Sequence, residues 1–160
     1  MNSSESSFSF DQAKAKLQSW CAYRERSTHE TLQKINSYQL ITEEVNELLL
    51  SLQEDNFINE TRFVESFVTG KFRIKKWGRN KIKAHIGIHR VETVLLNKFL
   101  HEMDDISYVD AVDYWLNKKF LALKSEKDPW KKKQKTIQYV ASKGFEIDLI
   151  LDRWGKLNLA

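Results

Sequence analysis

The sequence predicts an all-α fold made of tandem three-helix repeats, three units in an elongated, curved array. Only five glycines and one proline occur among its 160 residues, too few chain breakers for a many-turned β fold. Apolar residues instead recur at helical spacing along most of the chain. Equivalent apolar positions return about every fifty residues, which is within the periods of helical repeats. We therefore expect repeats at residues 10–55, 56–105 and 106–160, after a disordered tail at 1–9.

The first repeat follows a Ser-rich segment that has little apolar surface to bury against the entropy of ordering. Asp11 is placed to cap the first helix, because a short polar side chain can satisfy the free N–H groups at a helix start. Ser27 or Thr28 can cap the second helix, and Thr42 the third. The apolar stripes of these helices are Ala13, Leu17, Trp20 and Cys21, then Leu32, Ile35 and Tyr38, then Val45, Leu48, Leu49 and Leu52.

The same layout returns twice. In the second round Asn59 can cap a helix, and Gly78 separates that helix from the next one. The third round starts near Ser107, and Asp128 with the proline after it forms the cap and first turn of a helix that ends at Gly144. The helices of these two rounds therefore begin and end at recognisable cap and breaker residues.

Three anchor residues, Leu40, Val91 and Phe145, join the second and third helices of successive rounds. The positions five and nine residues after each anchor are also apolar. These positions are Val45, Leu96 and Ile150, then Leu49, Leu100 and Trp154. Any amphipathic helical chain matches itself at some offset, but agreement of caps, anchors and two core positions favours a true repeat.

Composition limits the class of protein. Cys21 is the only cysteine, so the chain can form neither an internal disulfide nor a zinc site built from cysteines, as suits a reducing compartment. No apolar run approaches the roughly 20 residues of a membrane span, and the N-terminus lacks the pattern of a secretion signal. We expect a soluble, cytoplasmic monomer whose chain ends at Ala160 without a long tail.

A basic stretch lies at the centre of the sequence. From Lys71 to Val91 there are eight lysines and arginines and no carboxylate, although the net charge of the chain is only +4. Apolar residues alternate with these charges at helical spacing and are expected to pack inward, which leaves a basic face. They are Phe72, Ile74, Trp77, Ile82 and Ile86. A solvated helix face is the common fate of such charge, but the missing carboxylates favour a binding face.

Several other candidates have plain explanations. The lysines between Lys118 and Lys135 are expected to serve solubility. Trp130 in that run is either a core residue of the third repeat or a stacking surface, and the core is favoured. The acidic residues from Glu102 to Asp113 lack the spacing of a calcium loop and suit helix starts instead. Cys21 lies in an apolar stripe and is expected to be a core thiol. The four histidines are scattered and no glycine-rich phosphate loop occurs, so we expect no enzyme, metal or cofactor.

Three segments in order resemble the RecX family of bacterial regulators of the RecA recombinase. They are WCAYRERSTHETLQKI at 20–35, NFINETRFVESFVTGKFRIKKWGRNKIK at 56–83 and ASKGFEIDLILDRW at 141–154. The most specific parts are the Arg-Ser pair at 26 and 27, the run at 57–63 and the basic Trp-Gly at 77 and 78. The chain departs from the family pattern after the second helix of the middle repeat, where His89 to Glu92 replace a glycine-containing turn.

The resemblance implies a non-enzymatic protein that binds RecA in the groove of its nucleoprotein filament and lowers its strand-exchange, ATPase or coprotease output. The basic stretch can meet a carboxylate-rich protein surface, a DNA phosphate backbone, or both. A general DNA-binding module that acts without RecA is the alternative. The candidate partner-binding residues are Arg24, Arg26, Lys71, Arg73, Lys75, Lys76, Trp77, Arg79, Lys81 and Lys83.

Two of these candidates carry their own alternatives. Trp77 stands beside Gly78 at a helix junction and is expected to be half core and half surface. Arg24 and Arg26 precede a helix start, where positive charge is mildly unfavourable, which points to a partner. A salt bridge to Glu30 is the plain explanation for these two arginines.

Overall fold

The computed structural model describes residues 8–159, which contain nine α-helices, one short 3-10 helix at Gly87–His89 and no strand. The helices are α1 Phe10–Tyr23, α2 Thr28–Asn36, α3 Thr42–Glu54, α4 Glu60–Lys75, α5 Arg79–Ile86, α6 Thr93–His101, α7 Asp105–Ala122, α8 Pro129–Ser142 and α9 Ile147–Leu157. The predicted all-α class is confirmed. Residues 1–7 of the expected disordered tail lie outside the described residues. The division into three repeats with the stated bounds stays a prediction.

Three helix starts carry the predicted caps. The Ser27 hydroxyl accepts a hydrogen bond from the Glu30 backbone N–H at 3.0 Å, and the Asn59 side chain accepts one from Arg62 at 2.9 Å. Asp128 accepts bonds from two N–H groups of the first turn of α8. These caps satisfy N–H groups that have no partner inside their own helix.

Two predicted caps were wrong. Ser9 rather than Asp11 caps α1, because the Ser9 hydroxyl accepts the Gln12 N–H and the Gln12 side chain accepts the Ser9 N–H. Asp11 lies in the first turn instead, where its charge favours the helix dipole. Thr42 is the first residue of α3, and the N–H before it, that of Ile41, donates to Glu44 at 3.3 Å.

The three anchors occupy equivalent positions. Leu40, Val91 and Phe145 each lie two residues before the helix that closes their round. The residue directly before each anchor has a left-handed backbone, with φ of 58° at Gln39, 53° at Arg90 and 97° at Gly144. Only the third position holds a glycine, the residue that adopts this conformation without steric cost. Arg90 therefore makes the same turn as Gly144 at the cost of backbone strain.

The described chain divides into two compact units. One unit holds the chain up to Ser66 together with Ile88–Leu95, and its core packs the first three helices around buried side chains. These are Ala13, Leu17, Cys21, Ile35, Leu48, Leu52 and Ile58. Burial raises the pKa of the Cys21 thiol, so the predicted core thiol is confirmed.

A hydrogen-bond network fixes the start of α2 within this unit. The fully buried Ser27 hydroxyl lies 2.9 Å from the His89 Nδ1 atom, and the His89 ring packs 4.8 Å from the Phe63 ring between centroids. The Glu60 carboxylate accepts from both the backbone N–H and the hydroxyl of Thr28. The turn that contains His89 is thereby tied to the first turn of α2.

The second unit holds Phe67–Gly87 and the chain from Leu96 onward. A close backbone contact in this unit joins Gly78, before α5, to Gly144, after α8. A Cβ atom added to Gly78 would lie 2.3 Å from the Gly144 carbonyl carbon and oxygen. Because real Cβ atoms essentially never approach backbone so closely, this contact needs glycine at position 78.

The same contact supplies the N-terminal cap of α5. The N–H of Gly78 donates to the Lys143 carbonyl at 2.8 Å, and that of Asn80 donates to the Gly144 carbonyl at 3.0 Å. The Arg79 N–H between them donates to the Tyr108 hydroxyl at 2.9 Å. No side chain of α5 itself caps this helix. Its start therefore depends on the α8–α9 turn.

None of the helices in the described part of the chain is long and apolar enough to cross a membrane.

We predict that Gly78→Ala lowers the free energy of unfolding by about 3 kcal/mol, the upper end of the usual cost of overpacking. The added methyl group would press on backbone atoms, which cannot move aside as a flexible side chain can. Urea denaturation measures the difference. Gly70→Ala is the control, because a Cβ there meets nothing within 4 Å and should stabilise α4 by about 1 kcal/mol. A Gly78→Ala protein as stable as the original would contradict the contact.

We also predict that Arg90→Gly stabilises the protein by about 1 kcal/mol, because glycine adopts the left-handed backbone of this turn without strain. Thermal and urea unfolding report the gain. Arg90→Ala is the control, since it removes the same side chain but keeps a Cβ and should bring no such gain. Equal stabilisation by both variants would show that the side chain, and not the backbone, is responsible.

Stability should fall as the pH drops through about 6.5. The pKa of His89 is lowered, in the first place by burial, although the Glu30 carboxylate acts to raise it. The unfolded chain then takes up a proton more readily than the folded one, so the contribution of His89 is present above about pH 6.5 and lost below it. His89→Gln should reduce the difference between the urea midpoints at about pH 7.5 and pH 5.5. His101→Gln, at an exposed position, should leave the difference unchanged, and an unchanged difference in His89→Gln would refute the assignment.

Candidate partner-binding interface

Three lysines surround the ring of Trp77 in the second unit, and we call these four residues the Trp77 cluster. The ammonium groups of Lys71, Lys75 and Lys81 lie 5.1, 5.4 and 4.8 Å from the centroid of the ring. Lys71 and Lys75 are four residues apart on α4, so they share one helix face, and Lys81 comes from α5. The His85 ring packs 4.4 Å from Trp77 between centroids. Trp77 is half-buried, as the sequence predicted.

The charges of this cluster are not neutralised within the protein. None of its three lysines forms an ion pair with a carboxylate among residues 8–159. Each cation–π contact is worth only about 0.5–1 kcal/mol at an exposed site. Three like charges held close to one ring repel one another, and a bound anion would relieve that repulsion. The arrangement therefore suits an anionic partner.

Lysines also converge on three aromatic rings of α7 and α8, and we call this second group the Trp115 cluster. Its rings are Tyr114, Trp115 and Tyr139, and its lysines are Lys76, Lys118, Lys119 and Lys143. Each of these ammonium groups lies 4.3–5.4 Å from at least one ring centroid. None of the four lysines is ion-paired in the described part of the chain.

Backbone contacts place the two clusters side by side in the same unit. The Trp115 indole N–H donates to the Lys76 carbonyl at 2.8 Å, and Lys76 directly precedes Trp77. On the other side, the Lys81 ammonium lies 3.4 Å from the Ser142 carbonyl, next to Lys143. The basic surface therefore extends from the α4–α5 junction onto α7 and the end of α8.

Arg79 is not part of this exposed surface. Its guanidinium stacks 3.9 Å from the Tyr108 ring centroid and donates to the Leu100 carbonyl at 3.1 Å. The carboxylates of Asp105 and Glu146 lie 3.6 and 3.7 Å away. The Tyr108 hydroxyl also donates to Glu146 at 2.7 Å, and burial raises its pKa. Reversing the charge of Arg79 would therefore disturb the fold as well as any contact with a partner.

The remaining predicted residues of the basic stretch lie apart from the two clusters. Arg73 and Lys83 are exposed, and neither lies over an aromatic ring of residues 8–159. Ile74 was expected to pack inward, and this was wrong, because its side chain is 82% exposed near the end of α4. Ile82 and Ile86 are buried as predicted and hold α5 against the core of its unit.

Arg24 and Arg26 belong to the other unit, where both pair with Glu30. Arg26 is only 8% exposed and stacks 3.9 Å from the Trp20 ring centroid. Burial acts to raise the pKa of Glu30, but hydrogen bonds and charge from the two arginines outweigh it and lower that pKa. The plain explanation, a salt bridge to Glu30, is therefore confirmed for this pair.

Sequence reasoning did not predict that Lys118, Lys119 and Lys143 lie over aromatic rings. The first two belong to a run that was assigned to solubility, yet they lie three to five residues after Tyr114 and Trp115 on α7. That spacing is the signal that could have found Lys118, because residues three and four apart meet on a helix surface. Lys119 lies over Tyr139 of α8, and no local spacing marks that contact. Trp130, expected in the core, is 67% exposed in the first turn of α8, so that prediction was wrong.

The first unit contains a cavity of about 600 Å³. Residues of both charge signs line it, including Glu60, Glu92 and Arg90, so its charge selects no single class of ligand. Within residues 8–159 no group of three or more His, Cys, Asp and Glu side chains could hold a metal ion.

Two family models match the chain. The model of the second three-helix domain of RecX matches residues 59–90, and that of the third three-helix domain matches residues 106–152. The regulatory protein RecX of Haemophilus influenzae strain PittGG is 28% identical over 136 residues, which cover 84% of this chain and 88% of the relative. That of Acinetobacter baylyi is 28% identical over 128 residues, which cover 80% and 77%.

Solved structures show the same fold. The crystal structure of RecX from Lactobacillus salivarius has a TM-score of 0.84 at 19% identity and covers 94% of this chain and 97% of its own. A second crystal structure of a regulatory protein RecX has a TM-score of 0.75 at 18% identity, over 89% and 73%. Domain models, relatives and fold agree with the motifs at 20–35, 56–83 and 141–154. The chain therefore belongs to the RecX family of regulatory proteins.

Proposed function

We propose that this chain is a non-enzymatic modulator of the RecA recombinase that inhibits it by binding the RecA nucleoprotein filament. Family membership supports a regulatory role, and the resemblance in sequence to regulators of RecA supports this partner. The contact is made through the basic face of the middle repeat, which is residues 56–105 in the proposed division. The protein acts as a monomer in this proposal.

The Trp77 cluster is the observation that carries the proposal. It concentrates three unpaired lysines at one half-buried ring, in the segment that matches the second RecX domain. A filament groove presents phosphates and protein carboxylates together, and point charges such as lysine ammonium groups can meet either. Arg73 and Lys83 extend the same stretch as exposed charges.

Two arginines leave the proposed contact set. Arg26 and Arg79 are both stacked on aromatic rings and paired with carboxylates of the same chain. Their charges are already used inside the protein, where they support its structure. The contact residues of the proposal are therefore Lys71, Arg73, Lys75, Lys76, Trp77, Lys81 and Lys83, with the exposed Arg24 at the margin.

A general DNA-binding module is the second candidate, and the excess of unpaired lysines favours it. The two candidate functions predict different effects of RecA on the affinity for DNA. A modulator of RecA binds the RecA filament on single-stranded DNA more tightly than it binds either free RecA or the same DNA alone at physiological salt. A general module binds the filament no better than the DNA, and its affinity falls steeply with salt.

We predict that the double variant Lys71→Glu and Lys75→Glu loses inhibition of the DNA-dependent ATPase of RecA. Lys75 is exposed and Lys71 half-buried, and neither is ion-paired among residues 8–159, so helicity should be kept and the melting temperature should change little. The concentration for half-inhibition should rise at least about tenfold, which corresponds to about 1.4 kcal/mol of binding free energy. A steady-state ATPase assay across protein concentrations gives this value.

The matched control is Lys16→Glu with Lys34→Glu, which makes the same change in net charge in the first unit. Each of these lysines contacts only a single aromatic ring. This control should inhibit like the original protein. Full inhibition by the folded Lys71 and Lys75 variant would refute the Trp77 cluster as the contact. Equal loss of inhibition in both variants would show that net charge alone causes the effect.

A further inference from the structure

We propose that the Trp115 cluster is a separate nucleic-acid site that neutralises the phosphate backbone without stacking on the bases. In this proposal the site binds nucleic acid without RecA, and of its lysines only Lys76 also belongs to the contact set proposed for RecA. It shares none of the residues that define the Trp77 cluster.

The lysines of this cluster form a dense group of positive charges. Lys118 and Lys143 lie 5.2 and 4.3 Å from the Trp115 ring centroid, and Lys119 and Lys143 lie 4.7 and 4.9 Å from that of Tyr139. Neighbouring ammonium groups are therefore within about 10 Å of each other, roughly one Debye length at 0.1 M salt. A nucleic-acid strand carries one phosphate about every 3.4 Å of its rise, so it can place a negative charge near each lysine.

Lysine ammonium groups lie over each ring of the cluster, so a base would have to displace them to stack, even at Tyr114, which is 42% exposed. Trp115 is only 9% exposed, and its N–H is used by the Lys76 carbonyl. Lysine side chains flank Tyr139 and Tyr114, and Tyr114 also meets Trp115 edge to face at 5.0 Å. Base stacking needs an open ring face. Cation–π contacts instead restrict the lysine side chains before binding, which lowers the entropy that binding must remove.

The chemistry of the cluster favours nucleic acid over an acidic protein. The central parts of protein interfaces are depleted in lysine and built around aromatic anchors that enter a partner's pocket. Here the central tryptophan is buried and the exposed groups are lysine ammonium groups, which attract phosphate from any direction. Such a surface should read charge and not base sequence.

The test uses the full chain without RecA. Fluorescence anisotropy would measure its binding to single-stranded oligothymidylate of about 20 nucleotides and to an abasic strand with the same number of phosphates, from about 50 to 200 mM salt. We expect the two affinities to agree within about twofold, because the bases contribute nothing. A clear preference for oligothymidylate would show base stacking and overturn the proposal.

The variant that removes the site is Lys118→Gln, Lys119→Gln and Lys143→Gln. We expect at least about tenfold weaker binding at the lowest salt and a salt slope reduced by about 2, since each lost contact with a single strand accounts for about 0.7. If the triple variant has a lowered melting temperature, the double variant Lys118→Gln and Lys119→Gln replaces it in the test. Both residues lie on the surface of α7. The salt slope of the double variant should be reduced by about two thirds as much as that of the triple variant.

The matched control is Lys124→Gln, Lys127→Gln and Lys131→Gln, which removes the same charge from the same unit. These three lysines are exposed, and none lies over an aromatic ring of the described chain. The control should keep most of the affinity and slope. Equal loss of affinity in both triple variants would refute the site, and so would no loss in the variant at Lys118, Lys119 and Lys143. Tighter binding of polyglutamate than of the oligonucleotide would overturn the proposal and assign the surface to an acidic protein. Because Lys71 and Lys75 are untouched, failure here leaves the proposal for RecA standing.

Discussion

The backbone contact between Gly78 and Gly144 is the constraint on which the second unit depends. It brings the start of α5 against the end of α8, where carbonyl groups receive the N–H groups that α5 cannot satisfy itself. It also sets Lys143 beside the segment that carries Trp77. Without so close an approach, the lysines at the end of α4 and those of α7 and α8 could not form one surface. The absence of a side chain at Gly78 and at Gly144 thus determines where the charged side chains lie.

Aromatic rings divide the basic residues of this chain into two kinds. Arg26 and Arg79 stack on rings and also form ion pairs with carboxylates, so their charge is neutralised within their own unit. The lysines around Trp77 and Trp115 contact rings but no carboxylate. A planar guanidinium can stack and form directed hydrogen bonds at once, whereas an ammonium group on a flexible stem rests against a ring and keeps its charge toward solvent. At these rings, the arginines Arg26 and Arg79 therefore support the structure, and the lysines display their charge.

Local sequence patterns predicted most of the helices, because spacing, caps and breakers act within a few residues. They could not predict Arg79, whose partners Leu100 and Tyr108 belong to later segments and meet it only in the folded unit. They also misplaced Ile74 and Trp130, since an apolar residue at helical spacing is buried only if another helix covers that turn. Lys143 carries no pattern of its own, and only packing brings it to Trp115 and Tyr139. The sequence thus identified the basic stretch, but it did not show that the basic surface extends onto α7 and the end of α8.

The capping of α5 by the α8–α9 turn has a consequence for the order in which the chain folds during synthesis. When Arg79–Ile86 leaves the ribosome, the carbonyl groups of Lys143 and Gly144 that cap it have not yet been made. The helix must wait with an open N-terminus while α6, α7 and α8 are translated, and it becomes fixed only when the last of them arrives. The middle segment of this protein therefore reaches its final structure only after the α8–α9 turn has been made.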